Sequence, residues 1–72
     1  MPVPAESAKA YVARVMASYR NCLRVEIDDV VASVEDGSAM KVTGRAFYSD
    51  GSETAFEWDV WRLEDGELYG EW

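Results

Sequence analysis

The sequence predicts an α+β fold in which one N-terminal helix packs on a curved four-stranded antiparallel β-meander. Three observations predict it. Between Ala8 and Tyr19 the apolar residues recur at spacings of three and four. From about residue 24 onward the chain turns to segments rich in Val, Thr, Phe, Tyr and Trp. Those segments are separated by three turn signals of one form, Glu35-Asp36-Gly37, Ser49-Asp50-Gly51 and Glu64-Asp65-Gly66. With 72 residues, half of them apolar, the expectation is a single domain over residues 1–72. A chain this short buries only roughly 60% of its unfolded surface. It has little room for a deep enzyme pocket.

The helix is expected over about residues 5–21. Pro4 suits a first helical turn, where its missing N–H is no loss. Glu6 lies near the positive end of the helix dipole and Arg20 near the negative end. Ala8, Tyr11, Val12, Val15, Met16 and Tyr19 cover an arc of about 140° at 100° per residue. Lys9, Arg14 and Arg20 fall outside it. Ala10, Ala13 and Ala17 form a second, smooth face that reads as good helix propensity at exposed sites.

Strands are expected over about 24–35, 38–48, 52–63 and 67–72. Their register follows from the loop length at the turns. A two-residue Asp-Gly loop would pair Tyr48 with Glu53 and Val42 with Asp59, mixing core and charge. A three-residue loop with Gly in the left-handed position instead sets Val42 beside Trp58 and Met40 beside Val60. The same loop sets Val30 beside Val42, and Trp58 beside Trp72. A slip of one residue moves every side chain to the other face, so this choice decides the core. Even-numbered residues then share one face: Val30, Ala32, Val34, Met40, Val42, Ala46, Tyr48, Phe56, Trp58, Val60, Leu68 and Trp72. Gly44 and Gly70 leave room on that face for the helix. Val25 and Ile27 alternate out of phase with Val30 and Val34, which predicts a β-bulge near Asp28-Asp29 or, alternatively, a separate short segment ending at Ile27.

The odd-numbered face carries charge and an apolar corner. Lys41 is expected to face Asp59, and Thr43 to face Glu57. Trp61 lies opposite Tyr69, with Leu63, Ala39 and Val31 nearby and Phe47 farther along its strand. One helix cannot cover both faces of four strands. Phe47, Trp61, Leu63 and Tyr69 are therefore candidate interface residues for self-association or a partner.

Formal charge is −7, and it is unevenly placed. Residues 1–24 carry +3 and residues 25–72 carry −10. An acidic surface of Glu53, Glu57, Asp59, Glu67 and Glu71 disfavours direct nucleic-acid binding and suits a basic protein. The absence of histidine excludes an imidazole base, a Ser-His-Asp set and imidazole metal ligation. Cys22 stands alone and reads as a small apolar residue. The acid pairs at 28–29, 35–36 and 64–65 lack the alternating spacing of a calcium loop. The expectation is a chain with no catalytic residue, no metal and no cofactor. There is no apolar run of about 18 residues and no signal-peptide pattern, so no membrane partner is expected. A cytoplasmic location fits the lone cysteine.

The run Val42-Thr43-Gly44-Arg45-Ala46-Phe47-Tyr48-Ser49-Asp50-Gly51, with Phe56-Glu57-Trp58-Asp59-Val60-Trp61-Arg62-Leu63-Glu64-Asp65-Gly66-Glu67-Leu68, resembles the sheet portion of nuclear transport factor 2-like (SnoaL-type) proteins. A curved sheet on one long helix is also the cystatin-type arrangement. The resemblance covers about a third of the chain. It implies the sheet-and-helix geometry and dimerisation through the sheet. It carries over no catalytic residue, because this chain lacks the family's additional helices and its pocket histidine.

Two functions fit these readings. The first is a small acidic, non-catalytic protein-binding module, homodimeric through its sheet or an inhibitor occupying a basic surface of another protein. Its small size and acidity resemble phage-encoded anti-defence inhibitors. The second is a small-ligand-binding protein with a pocket between helix and sheet, lined by Tyr11, Tyr19, Phe56 and Trp58.

Overall fold

Pro4 has extended backbone angles (φ −61°, ψ 140°), so the chain enters the helix from a straight segment. Helix α1 then spans Ala5–Ala17, with Glu6 in its first turn and Arg14 in its last. It ends four residues before the expected 21. The Ser18 hydroxyl donates back to the Val15 carbonyl at 2.6 Å, and the Ser18 N–H is shared by the Arg14 and Val15 carbonyls. These bonds tighten the last turn. Asn21 then adopts φ 67°, a left-handed conformation that Asn tolerates, and redirects the chain into the sheet.

The computed structural model describes residues 3–33 and 38–72. Its strands are β1 Cys22–Ala32, β2 Met40–Tyr48, β3 Glu53–Arg62 and β4 Leu68–Glu71. They form one antiparallel sheet in chain order, β1-β2-β3-β4. The fold is thus α+β, with an N-terminal helix on a four-stranded meander. Strand β1 begins two residues before the expected 24, whereas β2, β3 and β4 lie within their expected ranges and fall one or two residues short at their ends.

The pairing follows from the turns. Gly51 and Gly66 have φ 88° and 90°, the left-handed values that a three-residue loop requires. Tyr48 N–H donates to the Ser52 carbonyl and Leu63 N–H to that of Glu67, closing both hairpins at the expected length. Val42 therefore pairs with Trp58, Met40 with Val60, and Val60 with Gly70. The Glu35-Asp36-Gly37 turn and Val34 lie outside the described residues. The register beyond that turn still matches expectation, with Val30 on Val42 and Ala32 on Met40.

Strand β1 shifts register between Ile27 and Asp29, so Asp28 is the extra residue of the expected bulge. A second, unexpected shift lies between Cys22 and Arg24. It throws Leu23 outward, where the side chain is 72% exposed. These two shifts explain how Val25 and Ile27 share the core face with Val30 despite their odd numbers.

The core lies between α1 and the even face. Ala8, Val12 and Met16 of α1 meet Val42, Ala46, Phe56, Trp58 and Val60. Trp58 donates its indole N–H to the Met16 sulfur at 3.4 Å, and Tyr11 meets the Trp58 ring edge-on. Each fully buried side chain of this size contributes about 1.5–3 kcal/mol. Ala10 and Ala17 point outward. Two residues expected in the core are exposed instead. Ala32 lies at the end of the sheet, and Trp72, 57% exposed, stacks between Trp58 and Tyr19 as an outer lid. Val3 and Ala39 are buried where no core residue was expected.

Candidate binding face

Helix α1 covers one face of the sheet and packs on side chains of all four strands. The opposite face carries side chains of all four strands. Its residues are Arg24, Glu26 and, past the bulge, Asp29 and Val31 of β1. They continue with Lys41, Thr43, Arg45 and Phe47 of β2, the odd residues of β3, and Tyr69 and Glu71 of β4. Three of these side chains are basic and six are acidic, so the face is net negative. It lies on a molecule that measures 39 × 23 × 17 Å.

The two ends of the face differ. At one end Phe47 lies beneath two guanidinium groups, Arg24 at 4.4 Å and Arg45 at 5.7 Å from its centroid. Arg24 also pairs with Glu26 at 2.9 Å. Arg45 reaches Glu26 at 3.3 Å, Asp28 at 3.6 Å and Glu53 at 3.9 Å. Asp28 enters this network only because the bulge turns it toward the open side. In the middle, Lys41 faces Asp59 in the ladder as expected, and its ammonium lies 3.0 Å from Glu57 on the diagonal.

At the other end Trp61 and Tyr69 pair across β3 and β4, with ring centroids 6.1 Å apart. Tyr69 is 46% exposed, Leu63 47% and Val31 43%. The Tyr69 hydroxyl donates to Glu71 at 2.8 Å. That bond to a carboxylate, reinforced by its negative charge, holds the phenol above the usual tyrosine pKa. Asp59 sits directly opposite Glu71, and its buried Oδ1 has no hydrogen-bond partner.

Of the expected interface residues, Trp61 and Tyr69 come together and Leu63 lies just beyond the end of β3. Phe47 does not join them. It pairs with Glu53, eight residues along β3 from Trp61, or roughly 25 Å at about 3.3 Å per residue. Ala39, expected in the exposed corner, is buried at 1%. Of the acidic residues, Glu53, Glu57, Asp59 and Glu71 share the face, while Glu67 lies in the exposed turn before β4. The sequence reading missed the Arg24, Glu26 and Arg45 cluster. The phase change at Asp28 was its available signal, since it moves even-numbered β1 residues to the open side.

Around Tyr11, Tyr19, Phe56 and Trp58 the volume between helix and sheet is filled, and a groove of about 270 Å³ remains only at the edge, between Pro4 and Ser7 at the helix start and Arg62, Gly66 and Leu68. Phe56 and Trp58 are buried, the Tyr11 hydroxyl accepts the Gly70 N–H at 3.1 Å, and Tyr19 lies past the helix end, stacked on Trp72. Two larger grooves lie elsewhere. One of about 390 Å³ follows the Arg62–Gly66 turn, and one of about 490 Å³ crosses the sheet beside the bulge, lined by Asp28, Thr43, Arg45 and Glu57 among others. Among the described residues, no three His, Cys, Asp or Glu side chains gather to hold a metal. Cys22 is a free thiol packed against the core, with its sulfur 3.6 Å from the Arg24 carbonyl. Among the described residues, no helix is long and apolar enough to cross a membrane. Comparison with known protein families, curated proteins and solved structures finds no match to this chain.

Proposed function

We propose that this protein is a small acidic binding module that docks onto a basic surface of another protein through the open face of its sheet. The observation that carries this reading is the face itself. It spans four strands, lacks a covering helix, is net negative, and ends in exposed aromatic and aliphatic side chains. Trp and Tyr are frequent interface anchors, and acidic residues around them give orientation and fast encounter. A basic surface that binds nucleic acid is one such target. A module seated there competes with the phosphate backbone and acts as an inhibitor of the anti-defence kind.

The test is capture of a partner from the source organism by the immobilised protein, repeated across salt. Between about 0.01 and 1 M salt the screening length falls from about 30 to about 3 Å. The captured protein should be basic, should be released along that range, and should be lost with Trp61→Ala plus Tyr69→Ala. Salt-independent capture, or capture unaffected by the double substitution, removes this reading.

Self-association through the same face is a second reading, supported by the exposure of Tyr69, Leu63 and Val31. The like charge of two copies opposes it. Light scattering separates the two, because a dimer held by this face dissociates in the double variant.

A further inference from the structure

We infer that the outer edge of β3 between Glu53 and Glu57 takes an extended segment of another protein as an added strand, one whose residues alternate basic and apolar. Strand β4 pairs with β3 only from Asp59 to Arg62. Beside residues 53–58 the sheet therefore ends on β3 itself, among the described residues. The hydrogen bond from Tyr48 N–H to the Ser52 carbonyl fixes which backbone groups point which way. In an antiparallel ladder such bonded pairs alternate with unbonded ones. Thr54, Phe56 and Trp58 thus bond to β2, while Glu53, Ala55 and Glu57 turn their N–H and C=O groups outward. All three of those residues are exposed, and their register against β2 is regular, with no bulge and no proline. The other edges are less open. Strand β1 has two register shifts, and the Gly70 N–H of β4 already donates to the Tyr11 hydroxyl.

The two sides of this edge select the occupant. A residue of the added strand opposite Glu53 or Glu57 puts its side chain on the open face, beside that carboxylate. Glu53 approaches Arg45 at 3.9 Å and Glu57 approaches Lys41 at 3.0 Å, yet the two glutamate side chains stay 54% and 60% exposed. Each has room for a second, basic neighbour. Residues opposite Thr54 and Phe56 point to the helix side instead, where the Phe56 ring and the exposed Trp72 offer apolar contact. The groove of about 490 Å³ has Ala55, Phe56, Glu57 and Trp72 in its wall, so it reaches this edge. A second copy fits poorly. Two such edges paired antiparallel about Ala55 would set Glu53 of each copy opposite Glu57 of the other, and like charges in that position repel. The inference goes beyond docking through the open face, because Trp61, Leu63 and Tyr69 lie outside this edge and either reading can fail alone.

The test uses the full chain labelled with nitrogen-15 and a capped lysine–valine–lysine–valine–lysine peptide, followed by NMR. The peptide is expected to shift the amide resonances of Glu53, Ala55 and Glu57 and to slow their hydrogen exchange. The amides of Thr54 and Phe56, already bonded to β2, should change least. N-methylation of the central lysine removes the N–H that donates to the Ala55 carbonyl and should weaken binding about fivefold. N-methylation of either valine, whose N–H faces away from β3, should leave affinity within about twofold. Ala55→Pro keeps the β2 hydrogen bonds and should weaken binding as much as methylation of the central lysine, with circular dichroism confirming the fold. No binding, or equal effects of the two methylations, overturns the added strand and leaves docking through the open face to its own test. Shifts centred on Trp61 and Tyr69 overturn it in favour of that face. Shifts at Glu53, Ala55 and Glu57 that follow protein concentration without peptide make the occupant a second copy and overturn the basic partner. Equal binding of a glutamate–valine–glutamate–valine–glutamate peptide overturns the charge selection.

Discussion

Gly44 is where the sheet is most tightly built, and Gly44→Ala tests that packing. The residue pairs with Ile27 on one side and Phe56 on the other, one step from the bulge at Asp28. A Cβ placed there clashes with the Glu26 carbonyl oxygen and lies 2.7 Å from Phe56 Cζ and 3.1 Å from the Ile27 Cα. Two of the three obstacles are backbone of the neighbouring strand, which cannot turn aside as a side chain does. Overpacking costs about 1–3 kcal/mol, and a backbone clash belongs near about 3. Stiffening the unfolded chain returns about 0.4–1 kcal/mol. The net loss is roughly 2–2.5 kcal/mol, which lowers Tm by about 10–18 °C in a domain of this size.

Gly70→Ala is the internal comparison. There the added Cβ meets only side chains, Tyr11 Cε1 at 2.6 Å and Trp58 Cε3 at 2.9 Å. Side chains can shift where a neighbouring backbone cannot, so the net loss should be smaller, about 1 kcal/mol. Urea unfolding followed by tryptophan fluorescence measures both variants, provided the slope m stays constant. A Gly44→Ala protein within about 0.5 kcal/mol of the parent, or less affected than Gly70→Ala, refutes the account of β1 held close against β2.

Other perturbations probe the core, the turns and the ion pairs. Met16→Ala opens a cavity under Trp58 and removes the acceptor of its indole N–H; a loss of about 2–5 kcal/mol and red-shifted tryptophan emission are expected. Glu71→Gln should lower the Tyr69 pKa toward that of free tyrosine, as read by ultraviolet titration of the phenolate. The Tyr69 pKa is raised on folding, so its stabilising contribution is complete below the ordinary tyrosine pKa. It disappears as pH climbs through the raised value, and melts on either side of that range measure it. Asp50 is the opposite case. Bonds from the Ser52 hydroxyl and N–H lower its pKa, so its contribution is present above the ordinary aspartate pKa and is lost as pH falls through the lowered one. Ser52→Ala should move the Asp50 carboxyl resonance in an NMR titration back toward the ordinary value. Arg45→Ala removes a residue with three acidic partners, yet all are exposed, and a loss of no more than about 1 kcal/mol is expected from denaturant melts.

The register was legible because a repeated local signal encodes it. Gly51 and Gly66 each force one loop length, and the alternation of Val42, Trp58 and Val60 admits only one partner set. The bulge at Asp28 was legible as a change of phase between Ile27 and Val30. The second shift was not, because Cys22, Leu23 and Arg24 offer too short a run to show a period. The helix end was misplaced because Tyr19 continues the apolar spacing while contacting Trp72 from outside the helix. Burial of Val3 and Ala39 depends on neighbours distant in sequence, so no local pattern marks it. Sequence order also placed Trp61 opposite Tyr69 correctly. The phase change at Asp28 moves Arg24 to the open face, but that it covers the Phe47 ring there depends on the three-dimensional course of the bulged strand.

Strand β1 is one of the two edge strands of the sheet, and its irregularities bear on how that edge meets other chains. A straight, flat rim is a template for fibril growth, one copy adding to the next through the main chain. Here the extra residues Leu23 and Asp28 break the rim into short pieces, and the Asp29 carboxylate occupies the Val30 amide at 3.0 Å. Along β1 the runs of regular pairing are only 24–27 and 29–32. The β1 edge is therefore a poor template for a further copy of the chain, while the open face of the sheet stays available.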